Sequence, residues 1–178
     1  MQKLEESQIK QLINDAIEVR KNAYSVYSNF QVGCALITDK DIKYQGVNVE
    51  NASYGLTICA ERCAITTAVT HGMKKIKVLA VTADTKTPVS PCGACRQVIS
   101  EFSDKNTIFI ISNIKGDYEI KNINDLLPGA FNPAHLDEEN RIQPLQNKNK
   151  SENNNDDQNA RKIQENGENN GADKVTAQ

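Results

Sequence analysis

The chain has 178 residues, a formal charge of -2 with a pI near 5.7, and five cysteines. That length suits one domain with a real core, while the acidic balance, with no dense Lys/Arg block in residues 1–140, argues against a polyanion such as nucleic acid as partner. No apolar run approaches the roughly 18 residues of a membrane span.

The first segment, Met1 to Glu6, has neither a basic lead-in nor an apolar core. With an odd cysteine count, this disfavours a secreted disulfide framework; clustered thiols are then better used for metal, in a reducing, cytoplasmic setting. Over residues 5–21, Ile9, Leu12, Ile13, Ala16, Ile17 and Arg20 recur at three- and four-residue intervals, which predicts a helix with one buried face. Residues 31–38 and 42–49, separated by Asp39-Lys40-Asp41, read as a hairpin, with Gly46 marking a bulge.

The run from Asn48 to Leu56 is too polar for core and leads into a helix over 59–71, stopped by Gly72. A buried strand is expected at 77–83, a loop with two prolines at 85–91, a short helix at 93–102, a second buried strand at 107–112 and a last short strand at 118–123. Strands alternating with helices predict a layered α/β domain around a mixed sheet. Residues 141–178 hold nine Asn, five Gln, six basic and six acidic residues and almost nothing apolar. Such a segment buries too little surface to offset its ordering entropy, so a disordered tail is expected there, following a domain over 1–135.

The chemistry concentrates in Cys59-Ala60-Glu61-Arg62 and Pro91-Cys92-Gly93-Ala94-Cys95-Arg96. Three thiolates can hold zinc and leave its fourth tetrahedral position open, the mark of a catalytic rather than a structural site. Both motifs fall at predicted helix starts, where free N–H groups and the positive dipole end favour thiolate. Three thiolates also weaken the metal as a Lewis acid, so Arg62, with Arg96, is expected to donate hydrogen bonds to the sulfurs. Glu61, two residues after a ligand, is placed to carry protons between a metal-activated water and a substrate.

Together with Tyr27-Ser28-Asn29-Phe30-Gln31-Val32-Gly33, Asn48-Val49-Glu50-Asn51-Ala52-Ser53-Tyr54-Gly55 and Leu127-Pro128-Gly129-Ala130-Phe131, these motifs resemble the small homotetrameric, zinc-dependent cytidine deaminase family over roughly residues 8–131. The resemblance implies a three-layer α/β/α fold with a central mixed five-stranded sheet. It implies one Zn²⁺ per chain on Cys59, Cys92 and Cys95, and deamination of free cytidine and deoxycytidine in pyrimidine salvage, with hydroxide attack on C4 and Glu61 as proton shuttle. It further implies Phe30 beside the pyrimidine, Asn48 and Glu50 on the ribose hydroxyls, the Ala60 amide reading the base, and Tyr54 and Phe131 in active sites shared across a homotetramer.

The family's usual Pro before the Tyr-Ser pair is Val26 here, and Cys63 stands where a small or hydroxyl residue is commoner. Two other readings remain at this point. Cys63, four residues after Cys59, could complete a closed Cys₄ structural zinc site. A deaminase of a nucleic acid, or of a cytosine-bearing antibiotic of the blasticidin type, would share the metal chemistry; acidic charge disfavours the former and an Asn48/Glu50 sugar grip the latter. Cys34 reads as a small buried residue, and His71 as a cap on the last carbonyls of its helix.

Overall fold

The computed structural model describes residues 4–142. The Asn- and Gln-rich segment begins at its very end and, apart from Arg141 and Ile142, lies outside the described residues. Among those described, no helix is long and apolar enough to cross a membrane.

Helix α1 (Glu6–Arg20) starts where the Gln8 side chain accepts the Glu5 N–H at 3.1 Å, and it buries Ile9, Leu12, Ile13 and Ala16, the predicted stripe. Strand β1 (Val32–Thr38) turns at residues 39–42 into β2 (Lys43–Val47). Helix α2 (Ala60–Thr70) leads through Gly72, whose φ of 87° closes the helix in the left-handed region, to β3 (Ile76–Ala83). Helix α3 (Gly93–Glu101), β4 (Ile108–Asn113) and β5 (Tyr118–Lys121) follow. The sheet order is β2-β1-β3-β4-β5, antiparallel throughout except for the parallel β3–β4 pair. It is the expected mixed five-stranded sheet.

Alternate residues of the central strands face opposite layers. Ala35, Val78, Ala80, Ile108 and Ile110 pack on α1, while Cys34, Leu36, Leu79, Val81, Phe109 and Ile111 pack under α2 and α3. Cys34 is thus a buried apolar residue, its thiol pushed up by burial and by nearby Glu61. Because β2 and β3 both run antiparallel to β1, they point the same way. The segments leaving their C-terminal ends therefore start α2 and α3 at one end of the sheet and on one face, and the two helix starts meet.

Two expectations are corrected. Gly46 is not a bulge: it pairs regularly with Cys34, and a Cβ there would overlap the Ala64 amide and the Ala60 carbonyl, so glycine is required by the close approach of α2 to β2. The register shift lies instead between Ile37 and Thr38, where β1 pairs with β3. The last strand stops at Lys121, because the Asn122 side chain accepts the N–H groups of Asn124 (2.9 Å) and Asp125 (3.2 Å) and caps a single helical turn, α4 (Ile123–Leu126).

Candidate metal centre and substrate recess

Cys59 and Cys92 are the N-cap residues of α2 and α3, both in extended conformation, and Cys95 lies in the first turn of α3. Each thiol therefore sits where backbone N–H groups lack intrahelical partners. Their three sulfurs lie within 4.8 Å of one another, with Cys59 Sγ and Cys92 Sγ 3.8 Å apart. That separation is the edge of a tetrahedron with metal–sulfur bonds of about 2.3 Å, so the donor set fits zinc in spacing as well as in chemistry. All five cysteines are free thiols.

The electrostatics also call for a cation. The Cys95 thiol donating to Cys59 lowers the Cys59 pKa to about 5, with help from Arg62 and Cys92 and against the cost of burial. Cys95 is pushed well up by that same donation and by burial. The Cys59 thiolate forms readily while Cys95 resists, a repulsion that a bound divalent ion removes.

Arg62 Nη2 donates to the Thr57 carbonyl at 3.0 Å and to Cys59 Sγ at 3.7 Å, as expected from the sequence. Arg96 does otherwise. Its guanidinium spans the Pro91 carbonyl (2.8 Å), Ser90 Oγ (2.9 Å) and the Leu126 carbonyl (3.0 Å), so it braces the loop entering Cys92 against α4 and spends its donors on oxygen, not sulfur. His71 Nδ1 lies 2.9 Å from the Thr67 carbonyl and caps α2 as expected.

Glu61 is the second residue of α2 and only 4% exposed. Burial raises its pKa, and the Cys59 charge adds to this; its own backbone N–H and the Cys95 thiol oppose the rise. A carboxyl group beside the sulfurs whose burial raises its proton affinity is suited both to take and to return a proton. Ala60, just before it, is fully buried at the helix start.

Cys63 stays outside the sulfur cluster. As N-cap, Cys59 has extended rather than helical dihedrals, so the i,i+4 alignment that would bring Cys63 to the same ion does not apply. The described residues therefore supply three sulfurs and no fourth, against the closed Cys₄ reading.

A recess of about 320 Å³ is lined by Tyr27, Ser28, Glu50, Tyr54 and Thr57. Thr57, one of its lining residues, shares the Arg62 guanidinium with Cys59 through its carbonyl. Glu50 Oε2 accepts the N–H groups of Tyr27 (2.8 Å) and Ser28 (3.2 Å), and Oε1 accepts the Ser28 hydroxyl. Asn48 is buried, with Nδ2 donating to the Phe30 carbonyl at 2.8 Å and Oδ1 accepting the Val32 N–H at 2.8 Å.

Of the residues expected to hold substrate, Glu50 and Tyr54 share this recess, while Phe30, Asn48 and Phe131 are not among its lining residues. Tyr54 is 74% exposed, its ring edge-on to Tyr27 at 5.8 Å, and Phe131 is 56% exposed and stacked on His135. Tyr27, Ser28 and Thr57 line the recess without any role of their own expected from sequence. A Ser two residues before the aromatic in Ser28-Asn29-Phe30 was the available signal, since such hydroxyls bond backbone two residues on.

Residues 6–111 match the family described as "Cytidine and deoxycytidylate deaminase zinc-binding region". The chain belongs to this deaminase family. Two similar proteins are the cytidine deaminases of Sporosarcina psychrophila, 47% identical over 128 residues and covering 72% of this chain and 94% of that protein, and of Halalkalibacterium halodurans, 46% identical over 127 residues and covering 71% and 96%. The crystal structure of cytidine deaminase from Burkholderia pseudomallei superposes with a TM-score of 0.66 at 44% identity, over 68% of this chain and 97% of that one. The deaminase fold expected from the resemblance is therefore the fold observed, and the chain is an enzyme of the hydrolase class. The zinc-binding family and the Cys59/Cys92/Cys95 cluster agree on the metal.

Proposed function

We propose that this deaminase converts free cytidine and deoxycytidine to uridine and deoxyuridine, taking up one water and releasing one ammonia, in pyrimidine salvage. The observation that carries the reading is the buried Glu61 carboxyl beside three sulfurs spaced for one tetrahedral ion, in a chain of this family.

Cys59, Cys92 and Cys95 would hold one zinc per chain, which when bound supplies a nucleophilic water at neutral pH. Glu61 takes a proton from the attacking water and passes it to the ring N3 as C4 is attacked, then takes the proton of the new C4 hydroxyl and gives it to the amine, which leaves as ammonia while C4 becomes a carbonyl. Its raised pKa suits a group that must be both base and acid. Arg62 offsets thiolate charge at Cys59 and so keeps the sulfurs from quenching the metal. The Ala60 N–H, at a helix start, reads the base carbonyl, Phe30 offers the ring a flat apolar face, and Glu50 with Asn48 grips the sugar hydroxyls.

Exposed Tyr54, Leu56 and Phe131 support a homotetramer in which neighbouring subunits close one another's sites. Five free thiols suit a cytoplasmic protein.

The test is ammonia release from cytidine and deoxycytidine by the zinc-loaded chain, beside Glu61→Gln. The expected result is turnover in the parent and its loss in a variant that keeps one zinc per chain. Zinc retained in both with turnover in neither would overturn the reading.

A further inference from the structure

We propose that Ser28 is a positioning residue for sugar recognition, its hydroxyl tying the Glu50 carboxylate to the Phe30 backbone so that acceptor and aromatic face are set together. The inference rests on the reading of Glu50 and Phe30 given above and deepens it.

The Ser28 hydroxyl works in two directions: it donates to Glu50 Oε1 and accepts the Phe30 N–H at 3.0 Å. Between them Asn29 adopts a left-handed φ of 55°, its own N–H donating to the Ser25 carbonyl at 2.9 Å, and this bend folds residue 30 back onto the residue 28 side chain. Phe30 is thus held at both backbone ends, its N–H by Ser28 and its carbonyl by Asn48 at 2.8 Å.

Glu50 is held as firmly. Oε2 is taken by the Tyr27 and Ser28 N–H groups, and the carboxylate can turn only by giving up the Ser28 hydroxyl. That hydroxyl is also the foremost cause holding Glu50 below the usual carboxylate range, with burial opposing. An ionised, oriented carboxylate with one acceptor site left on Oε1 is what a sugar hydroxyl needs, and pre-orientation removes the ordering cost from binding. Alanine at 28 would free both Oε1 and the Phe30 N–H; threonine would keep both bonds.

The experiment compares Ser28→Ala and Ser28→Thr with the parent, all zinc-loaded, on cytidine and on 2′,3′-dideoxycytidine, which lacks the 2′ and 3′ hydroxyls. For Ser28→Ala the KM for cytidine is expected to rise roughly tenfold or more, with kcat within about threefold, and the KM for the dideoxy substrate to rise clearly less, through Phe30 alone, while Ser28→Thr stays near the parent. An equal KM rise on both substrates, a fall in kcat alone, or no change would overturn the proposal. So would loss of zinc or of fold in Ser28→Ala, because a positioning role leaves the metal centre intact. A zinc-loaded parent inactive on cytidine would overturn the functional reading and this inference with it, which separates the two failures.

Discussion

The sulfur cluster and the recess come together along the chain where Thr57, which lines the recess, precedes Cys59 by two residues, yet they are built by opposite means. Cys95, Ala60 and Glu61 are buried, and the positions of the three thiols follow from strand direction and helix packing. Glu50 and Ser28 are held near the surface by hydrogen bonds between side chains and backbone, and the exposed Tyr54 ring rests edge-on against Tyr27, with little apolar burial behind them. The difference teaches that chemistry and substrate grip can fail separately: packing defects should reach the metal and the whole fold, while loop defects should reach KM.

The sharpest break in that division would come at Glu61. Glu61→Gln should lower kcat by roughly 10²–10⁴-fold, with zinc content and KM for cytidine little changed, measured by steady-state kinetics beside metal analysis. A parallel loss of zinc would show that Glu61 supports the cluster rather than the chemistry.

Next is Gly46, where α2 touches β2. Gly46→Ala should destabilise the fold by about 1–3 kcal/mol in denaturant unfolding, since the added Cβ meets backbone atoms that cannot yield without moving the helix. By displacing the start of α2 it should also weaken zinc retention, whereas Ser28→Ala should not.

Arg62→Ala removes a donor from Cys59, whose pKa of about 5 then rises. Zinc affinity should fall by about 10–100-fold, and the pH at which zinc is released on acidification should move upward, read by a chromophoric chelator. Unchanged retention would leave Arg62 only its bond to the Thr57 carbonyl.

The smallest effect belongs to Glu50. Its folded-state pKa is depressed, so the stability it lends the loop is present above its unfolded value and is lost as pH falls through the depressed value. Tyr27 and Tyr54 fluorescence should report this acid transition, and Glu50→Gln should abolish it without loss of zinc.

Much of the fold was legible because burial and periodicity coincide: the α1 stripe and the alternating faces of β1, β3 and β4 follow directly from spacing. The metal motif was legible for the same reason that it works, since Cys59 and Cys92 stand at helix starts that the sequence marks. What escaped were effects of approach and reach. Nothing local distinguishes a bulge glycine from Gly46 pressed under a helix, and nothing in Cys-x-x-Cys-Arg says that Arg96 turns toward Leu126, 30 residues on. The four-residue spacing of Cys59 and Cys63 left a Cys₄ alternative open that the structure disfavours for a local reason, because an N-cap residue is not yet in the helix.

The 33-residue separation of Cys59 and Cys92 has a thermodynamic side as well. A metal gripping both closes a loop that contains all of α2 and β3, and so acts as a removable crosslink. By the chain-entropy relation for a bridge of that span, it takes about 4 kcal/mol of freedom from the unfolded chain. The ion that serves turnover would thus also staple the middle of the sheet to its covering helices, and a chelator would loosen the scaffold along with the chemistry.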